Sequence, residues 1–318
     1  MPQLRLFDES PAAEASLDFA LERELVTRVP PRVRFGTSSW TFPGWSGLVY
    51  PPGTTLPALQ ERGLELYARC PLFRTVGIDR SYYRPLEHAE LATYAAQLPR
   101  GFPCVMKAWS ELTSRVHPRT RALNPRFLDA NAFIDSVVGP LDVAFADNAG
   151  PIVLELAPMR DDELPRPGEL PEQLARFFSR LPSGHRYAVE LRNRELFTPA
   201  YLSVLRTFGV AHVLNFWERM PDIGEQLDIP GIFTAHFVVI RLLIPPGQRY
   251  AEKKAEYAPF DRIVAPQPGL YEDIARLIEA TREHATDVFV IVNNKVEGSS
   301  PLTVRGLAAR VATPAAVR

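Results

Sequence analysis

Short runs of apolar, β-branched and aromatic residues punctuate this chain, and between them the apolar spacing changes from that of a strand to that of a one-faced helix. Eight runs read as strands: Val33-Arg34-Phe35, Arg74–Asp79, Phe102–Lys107, Ile152–Leu156, Tyr187–Arg192, Ala211–Phe216, Phe237–Leu242 and Val288–Asn293. Helices are predicted near Leu56–Arg69, Glu87–Leu98, Arg126–Val138, Glu169–Leu181, Tyr271–His284 and Thr303–Val311. The third of these is predicted to start with Asn124 as N-cap and Pro125 in its first turn. Upstream, Leu17, Leu21 and Leu25 recur at every fourth position, which predicts an amphipathic helix over Pro11–Thr27 that ends at Pro30-Pro31.

Strands that alternate with helices call for a parallel sheet with crossover helices, and a count of eight points to closure. The expected fold is α/β: a single TIM-like (β/α)8 barrel over residues 33–312, with a tail and accessory helix over 1–32. A doubly wound open sheet is the alternative, weakened because no tight glycine-rich phosphate loop follows any strand.

The strand ends carry the candidate chemistry. They finish in Ser38 with Trp40, Asp79, Lys107, Glu155, Glu190 with Arg192, Asn215, Arg241, and Asn293 with Asn294. Strand side chains alternate between faces, so Ala188, Glu190 and Arg192 share one face of YAVELR while Val189 and Leu191 share the other. Thr75, Gly77 and Asp79 are likewise set against Val76 and Ile78. Helices cover the apolar face, which turns the polar face inward, toward the mouth where barrel enzymes place chemistry. Lys107, Glu190, Asp79 and Glu155 are the candidate catalytic groups. The competing reading is a structural ion-pair network, because buried charges require partners whether or not they react.

The stretch Arg34–Pro51 adds aromatics. After the first strand come the small residues Gly36 to Ser39, then Trp40, Phe42 and Trp45 around Pro43-Gly44. This suits a strand opening into a ligand site, although the same rings would also plug a core. Candidate substrate-binding residues are Ser38, Trp40, Trp45, Tyr83, Arg192, Arg241, Asn293 and Asn294: the arginines for a phosphate or carboxylate, the rings for stacking a sugar or base.

Composition narrows the classes. The chain has 318 residues, 46% of them hydrophobic, and a net charge of -1, which supports a large core and argues against a generally basic nucleic-acid binder. Two cysteines, Cys70 and Cys104, are too few for a disulfide framework or thiolate metal site, so a reducing cytoplasm is expected. No apolar run approaches membrane-spanning length and the Met1 end carries no basic-then-apolar leader, so no membrane role is expected. Of six histidines only His117 falls in a loop at the expected mouth. No metal ligand set is assigned, although magnesium on Asp79, Glu155 or Glu190 stays compatible, and no motif names a cofactor. The 31 prolines fall mostly at the joints between elements, as rigid loops require.

Several motifs together resemble the YecE-like family, domain of unknown function family seventy-two. They are GTSSWTFPGW followed by Tyr50-Pro51, TVGIDRSYYR, Lys107 in CVMKA, Glu190 and Arg192 in AVELR, and Asn293-Asn294 in VNNKVEGSSP. The resemblance spans Val33 to Val311 and implies a TIM-barrel-like fold without an assigned activity. The chain departs from the family pattern at Gly77 (usually Glu), Asp79 (usually Asn), Glu155 (usually Gln) and Leu242-Leu243 (usually His-Gly), and Thr113-Ser114 stands where Thr-His is usual. Glu190, Arg192 and Lys107, which keep the pattern, are therefore ranked above Asp79.

Three functions fit. One is an enzyme using acid-base chemistry on a small anionic ligand, phosphorylated or sugar-like. Another is a nucleic-acid-binding or processing protein, using the basic loop Arg115–Arg126 and the segment Arg249–Lys254. The third is a non-catalytic scaffold that keeps a ligand pocket. Independently, Gln3-Leu4-Arg5-Leu6-Phe7 resembles the Gln-Leu-x-Leu-Phe peptide that docks bacterial replication and repair proteins on the sliding clamp.

Overall fold

The computed structural model describes residues 17–284 and 287–313. Its strands are β1 (Val33–Thr37), β2 (Val76–Ile78), β3 (Cys104–Lys107), β4 (Ala149–Glu155), β5 (Tyr187–Glu190), β6 (Ala211–Phe216), β7 (Phe237–Leu242) and β8 (Asp287–Val292). They form one parallel eight-stranded sheet in the order β1-β8-β7-β6-β5-β4-β3-β2. The helices are α1 (Ala20–Arg28), α2 (Leu56–Ala68), α3 (His88–Gln97), α4 (Ser110–Thr113), α5 (Ala130–Phe133), α6 (Gly139–Ala144), α7 (Glu169–Phe178), α8 (Pro199–Thr207), α9 (Ile223–Leu227), α10 (Tyr250–Tyr257), α11 (Pro268–Ala280) and α12 (Ser300–Ala312). This is the expected α/β TIM-like barrel with an N-terminal helix.

The barrel nearly closes, and the reason lies in Gly36. A Cβ there would stand 2.1 Å from the Thr75 carbonyl oxygen, so only glycine lets β1 approach the start of β2. In place of a full ladder, β1 and β2 share the bond from Arg74 N–H to the Phe35 carbonyl (2.9 Å). The buried Tyr67 hydroxyl bridges the two, accepting from Thr37 N–H (2.9 Å) and donating to the Thr75 carbonyl (3.1 Å).

Inside the barrel, Val105, Val153, Ala188, Ala211, Val213, Phe237, Val239, Phe289 and Ile291 pack as a separate apolar cluster. The inward face is thus apolar at the bottom and turns polar only at the C-terminal strand ends, which seals the polar site from below.

Local chemistry shifts some predicted boundaries. The helix predicted from Arg126 starts at Ala130, where Asp129 Oδ1 accepts from the backbone N–H of Asn131 (3.0 Å) and Ala132 (3.1 Å). Asn124 caps nothing longer than the Arg126 turn, because its Nδ2 donates to the Glu111 and Ser114 carbonyls, and Leu128 at φ 56° breaks the run. Of the helix predicted over Pro11–Thr27, residues 11–16 lie outside the described residues, and the described part is helical from Ala20; Leu25 is buried on it while Leu21 is exposed. α1 docks on α12, where Arg305 bonds the buried Glu22. Among the described residues no helix is long and apolar enough to cross a membrane.

α8, which strand-and-helix patterning did not predict, covers β6 through His212. That ring stacks on Phe197 with centroids 4.6 Å apart, and its Nδ1 lies 3.0 Å from the Tyr201 hydroxyl. Burial pushes its pKa down to about 3, so it folds neutral. An unfolded histidine titrates near 6.5, so the stability held above that value is lost as pH falls from there toward the folded value. Urea unfolding at about pH 7 and about pH 5.5 is expected to show a loss of about 1 kcal/mol that disappears in His212→Leu. An identical loss in the variant would reject the assignment.

Candidate functional site

At the C-terminal mouth, Glu155 ends β4 and Glu190 ends β5, and the two are direct cross-strand partners in the parallel register. Two ionised carboxylates at that spacing repel unless cations reach both. Arg241 supplies one from across the barrel on β7: its Nη1 donates to Glu155 at 2.9 Å and also to Glu190, and its Nη2 donates to Asp79 at 3.2 Å. Arg192, just past β5, supplies another, with Nη2 at 2.7 Å from Glu155 and 2.9 Å from Glu190. Lys107 Nζ, at the end of β3, lies 2.9 Å from Glu155 and 3.4 Å from Asp79. Asn215 on β6 donates to Glu190 at 3.3 Å and to the Leu191 carbonyl at 2.7 Å, which ties off the β5 ladder.

Burial by itself would raise the Glu155 pKa, but Arg192, Lys107 and Arg241 outweigh it and hold the carboxyl well below the usual range. Glu155 therefore stays ionised. Glu190 has 0% exposure and its oxygens are shared among Arg192, Arg241 and Asn215. The members nearest solvent are Asp79 and Lys107, whose side chains are 30% and 12% exposed. Asp79 is thus the more exposed of the two carboxylates, although the family pattern ranks Glu190 above it.

The structure separates the other candidate residues. Ser38 lies at the site, its Oγ accepting from Asn293 Nδ2 at 2.8 Å. Asn293 Oδ1 in turn accepts from Lys295 Nζ at 3.0 Å. Trp45, by contrast, is fully buried in the core against Phe42 and Tyr50, so it lines no wall. Trp40 is directed at the helix layer: its ring meets Tyr94 edge-on at 5.4 Å and fits over Gly63 of α2. Asn294 is buried, and its Oδ1 accepts from the N–H and Oγ of Ser300 (both 2.8 Å), tying down the first turn of α12.

Tyr83 is 77% exposed, and Tyr82 takes its place beneath Lys107 Nζ, 4.9 Å from the ring centre. The chain leaves β2 as a 3-10 turn, Asp79–Tyr82, in which residues three apart share a side. That geometry aligns Tyr82 with Asp79; extending the strand's alternation through Tyr83 misplaces it. Burial pushes the Tyr82 hydroxyl up, so it remains a proton donor.

Two further residues at the mouth were missed, and period-two alternation would have found both. Trp217 follows Asn215 by two, and its ring lies 4.0 Å from the Arg192 guanidinium carbon. Lys295 follows Asn293 by two and is buried. Burial, reinforced by Lys254, lowers its amine to about 8. Both were passed over because they stand just beyond the strand, where a pattern reader expects loop.

His117 Nδ1 faces the backbone N–H of Arg119 and Thr120 within its own turn. Among the described residues no group of three or more His, Cys, Asp or Glu side chains is arranged to hold a metal ion.

The sequence model of the family described as "Protein of unknown function DUF72" matches residues 34–317. No curated protein matches the chain. Among solved structures, a DUF72 family protein from Enterococcus faecalis V583 superposes with a TM-score of 0.61 at 17% identity, covering 89% of this chain and 97% of the other. A DUF72 family protein from Thermotoga maritima MSB8 gives 0.60 at 17% identity, covering 87% and 98%. At such identity the likeness shows the fold.

Proposed function

This chain belongs to the DUF72 family of proteins of unknown function, and from its barrel mouth we propose a cytoplasmic enzyme that moves protons on a small anionic substrate, phosphorylated or sugar-like. The observation that carries this reading is the convergence of Asp79, Glu155 and Glu190 on Lys107, Arg192 and Arg241 at the strand ends, with Asp79 the most exposed of the six at 30%. Glu155, Glu190, Arg192 and Arg241 form a charged floor that resists reorganisation, as electrostatic catalysis requires. On that floor Asp79 acts as the base and Lys107 as the acid or as the charge that stabilises an anionic intermediate. Tyr82, Ser38 and Asn293 are donors around them, and Lys295 adds a further cation. Incubation with a panel of sugar phosphates and hydroxy acids, followed by NMR, is expected to show consumption of one class and solvent deuterium uptake into it. If none is consumed or exchanged, the non-catalytic scaffold becomes the better account.

The nucleic-acid reading draws less support from geometry. Arg115 bonds Glu169 at 2.9 Å, Arg121 pairs with Glu163, and Lys253 bonds Glu256 at 2.7 Å, so these segments carry their own counter-charges. Gln3–Phe7 lies outside the described residues, and its motif supports a separate proposal, docking on a bacterial sliding clamp. A Met1–Ser10 peptide is expected to bind the clamp, and the Leu6→Ala, Phe7→Ala double variant to lose that binding; equal binding by both would end the idea.

A further inference from the structure

Arg192 does not use all its donors. A guanidinium offers five N–H groups and accepts nothing. Arg192 is 3% exposed, its Nη2 serves both Glu155 and Glu190, and among the described residues its Nε and Nη1 meet no acceptor although both are sealed from solvent. Buried donors without acceptors are costly and rare, and they are common where a ligand completes the set. The other arginine of the floor differs, since Arg241 distributes Nη1 and Nη2 over three carboxylates.

What covers Arg192 is Trp217, stacked on the guanidinium at 4.0 Å. Trp217 is the first residue past β6 and only half-buried, and among the described residues its indole N–H holds no hydrogen bond that turning the ring would break. Beneath Arg192 the glutamates are held from several sides and cannot move aside. Lys107, Arg192, Arg241 and Lys295 bring four cations to the mouth, beside Asp79, Glu155 and Glu190.

We infer that the Arg192–Trp217 stack is a covered oxyanion subsite: the Trp217 ring turns aside, and a carboxylate or phosphate group of the substrate accepts hydrogen bonds from Nε and Nη1. This rests on the proposed active site and assigns the part of it that recognises the substrate's anionic group, which places the reacting atoms over Asp79 and Lys107.

The test titrates the whole protein with potassium phosphate and, separately, potassium acetate at constant ionic strength, following tryptophan fluorescence and calorimetry. Saturable binding of at least one ion is expected, and the ion that saturates identifies the chemistry as phosphate or carboxylate. The fluorescence change should vanish in Trp217→Phe while calorimetric binding persists. Arg192→Lys, checked for folding by its melting curve, should bind at least about tenfold more weakly, since hydrogen bonds to a charged group are lost. Absence of saturable binding, unchanged affinity in Arg192→Lys, or a fluorescence change retained in Trp217→Phe would overturn the subsite. If Arg192→Lys does not fold, phenylglyoxal labelling located by mass spectrometry replaces it. Arg192 should label slowly in the parent protein, faster in Trp217→Ala, and slowly again with the bound ion present; equal rates in parent and variant would overturn the proposal. Binding that survives Arg192→Lys but is lost in Lys107→Met rejects the subsite and leaves the proposed active site standing.

Discussion

Replacing Glu190 with glutamine is expected to destabilise the fold by about 3 to 5 kcal/mol, the usual result of removing one member of a buried ion-pair set. The substitution preserves shape, so no cavity contributes. It puts an amide NH2, a donor, among Arg192, Arg241 and Asn215 Nδ2, which are donors too. It also leaves Lys107, Arg192 and Arg241 with only Asp79 and Glu155 as counter-charges. Glu65→Gln is the control. Hydrogen bonds from Arg62 and Arg69 hold the Glu65 carboxyl down to about 2, but its side chain is 40% exposed, and screening reduces such a pair to about 1 kcal/mol or less. Chemical denaturation of both variants at neutral pH compares a floor charge with a surface charge. Unchanged or improved stability in Glu190→Gln would mean that the buried carboxylate is kept for activity at the expense of the fold.

Lys107→Arg is expected to fold with nearly parental stability and to lose about 10²- to 10⁴-fold in turnover, the usual contribution of a positioned proton-transfer group. Arginine keeps a cation beside Glu155 and Asp79, so the charge balance of the mouth survives. It does not give up a proton in a protein, so acid-base work at that position stops. The variant therefore separates the two roles proposed for Lys107: lost turnover with stability kept assigns it the proton transfer, and retained turnover assigns it the charge that stabilises an anionic intermediate. Turnover of the substrate class found by metabolite screening, measured beside a melting curve, decides. A variant with parental rate would place proton transfer elsewhere at the mouth.

The site was legible in proportion to how regular its backbone is. Within β3, β4, β5 and β7 the period of two put Lys107, Glu155, Glu190 and Arg241 on the inward face, and strand ends in a barrel can converge only at the mouth. β6 and β7 have the bounds that patterning predicted, because alternation there meets no turn chemistry. Past the ladder the rule weakens. The 3-10 turn after β2 exchanged Tyr82 for Tyr83, and Trp217 and Lys295 were passed over although alternation still held for them.

By itself the sequence determined the barrel, its strands, and most of the charges that meet at its open end, Lys295 excepted, because apolar periodicity and polar strand ends are local features that survive in a one-dimensional string. Along the chain Gly36 is one of a run of small residues, and only the close approach of Thr75 shows that glycine is demanded there. The tertiary structure alone decided which of those charges faces solvent and which forms the floor. Glu190 and Asp79 are both carboxylates at strand ends, yet one is enclosed by Arg192, Arg241 and Asn215 while the other is part-exposed beside Lys107. The tertiary structure likewise assigned Trp45 and Trp40 to packing and left Arg192 with unmet donors under Trp217. The physical reason is that burial and hydrogen-bond satisfaction belong to contacts between residues far apart in sequence, here as distant as Asp79 and Arg241, and no local pattern encodes them.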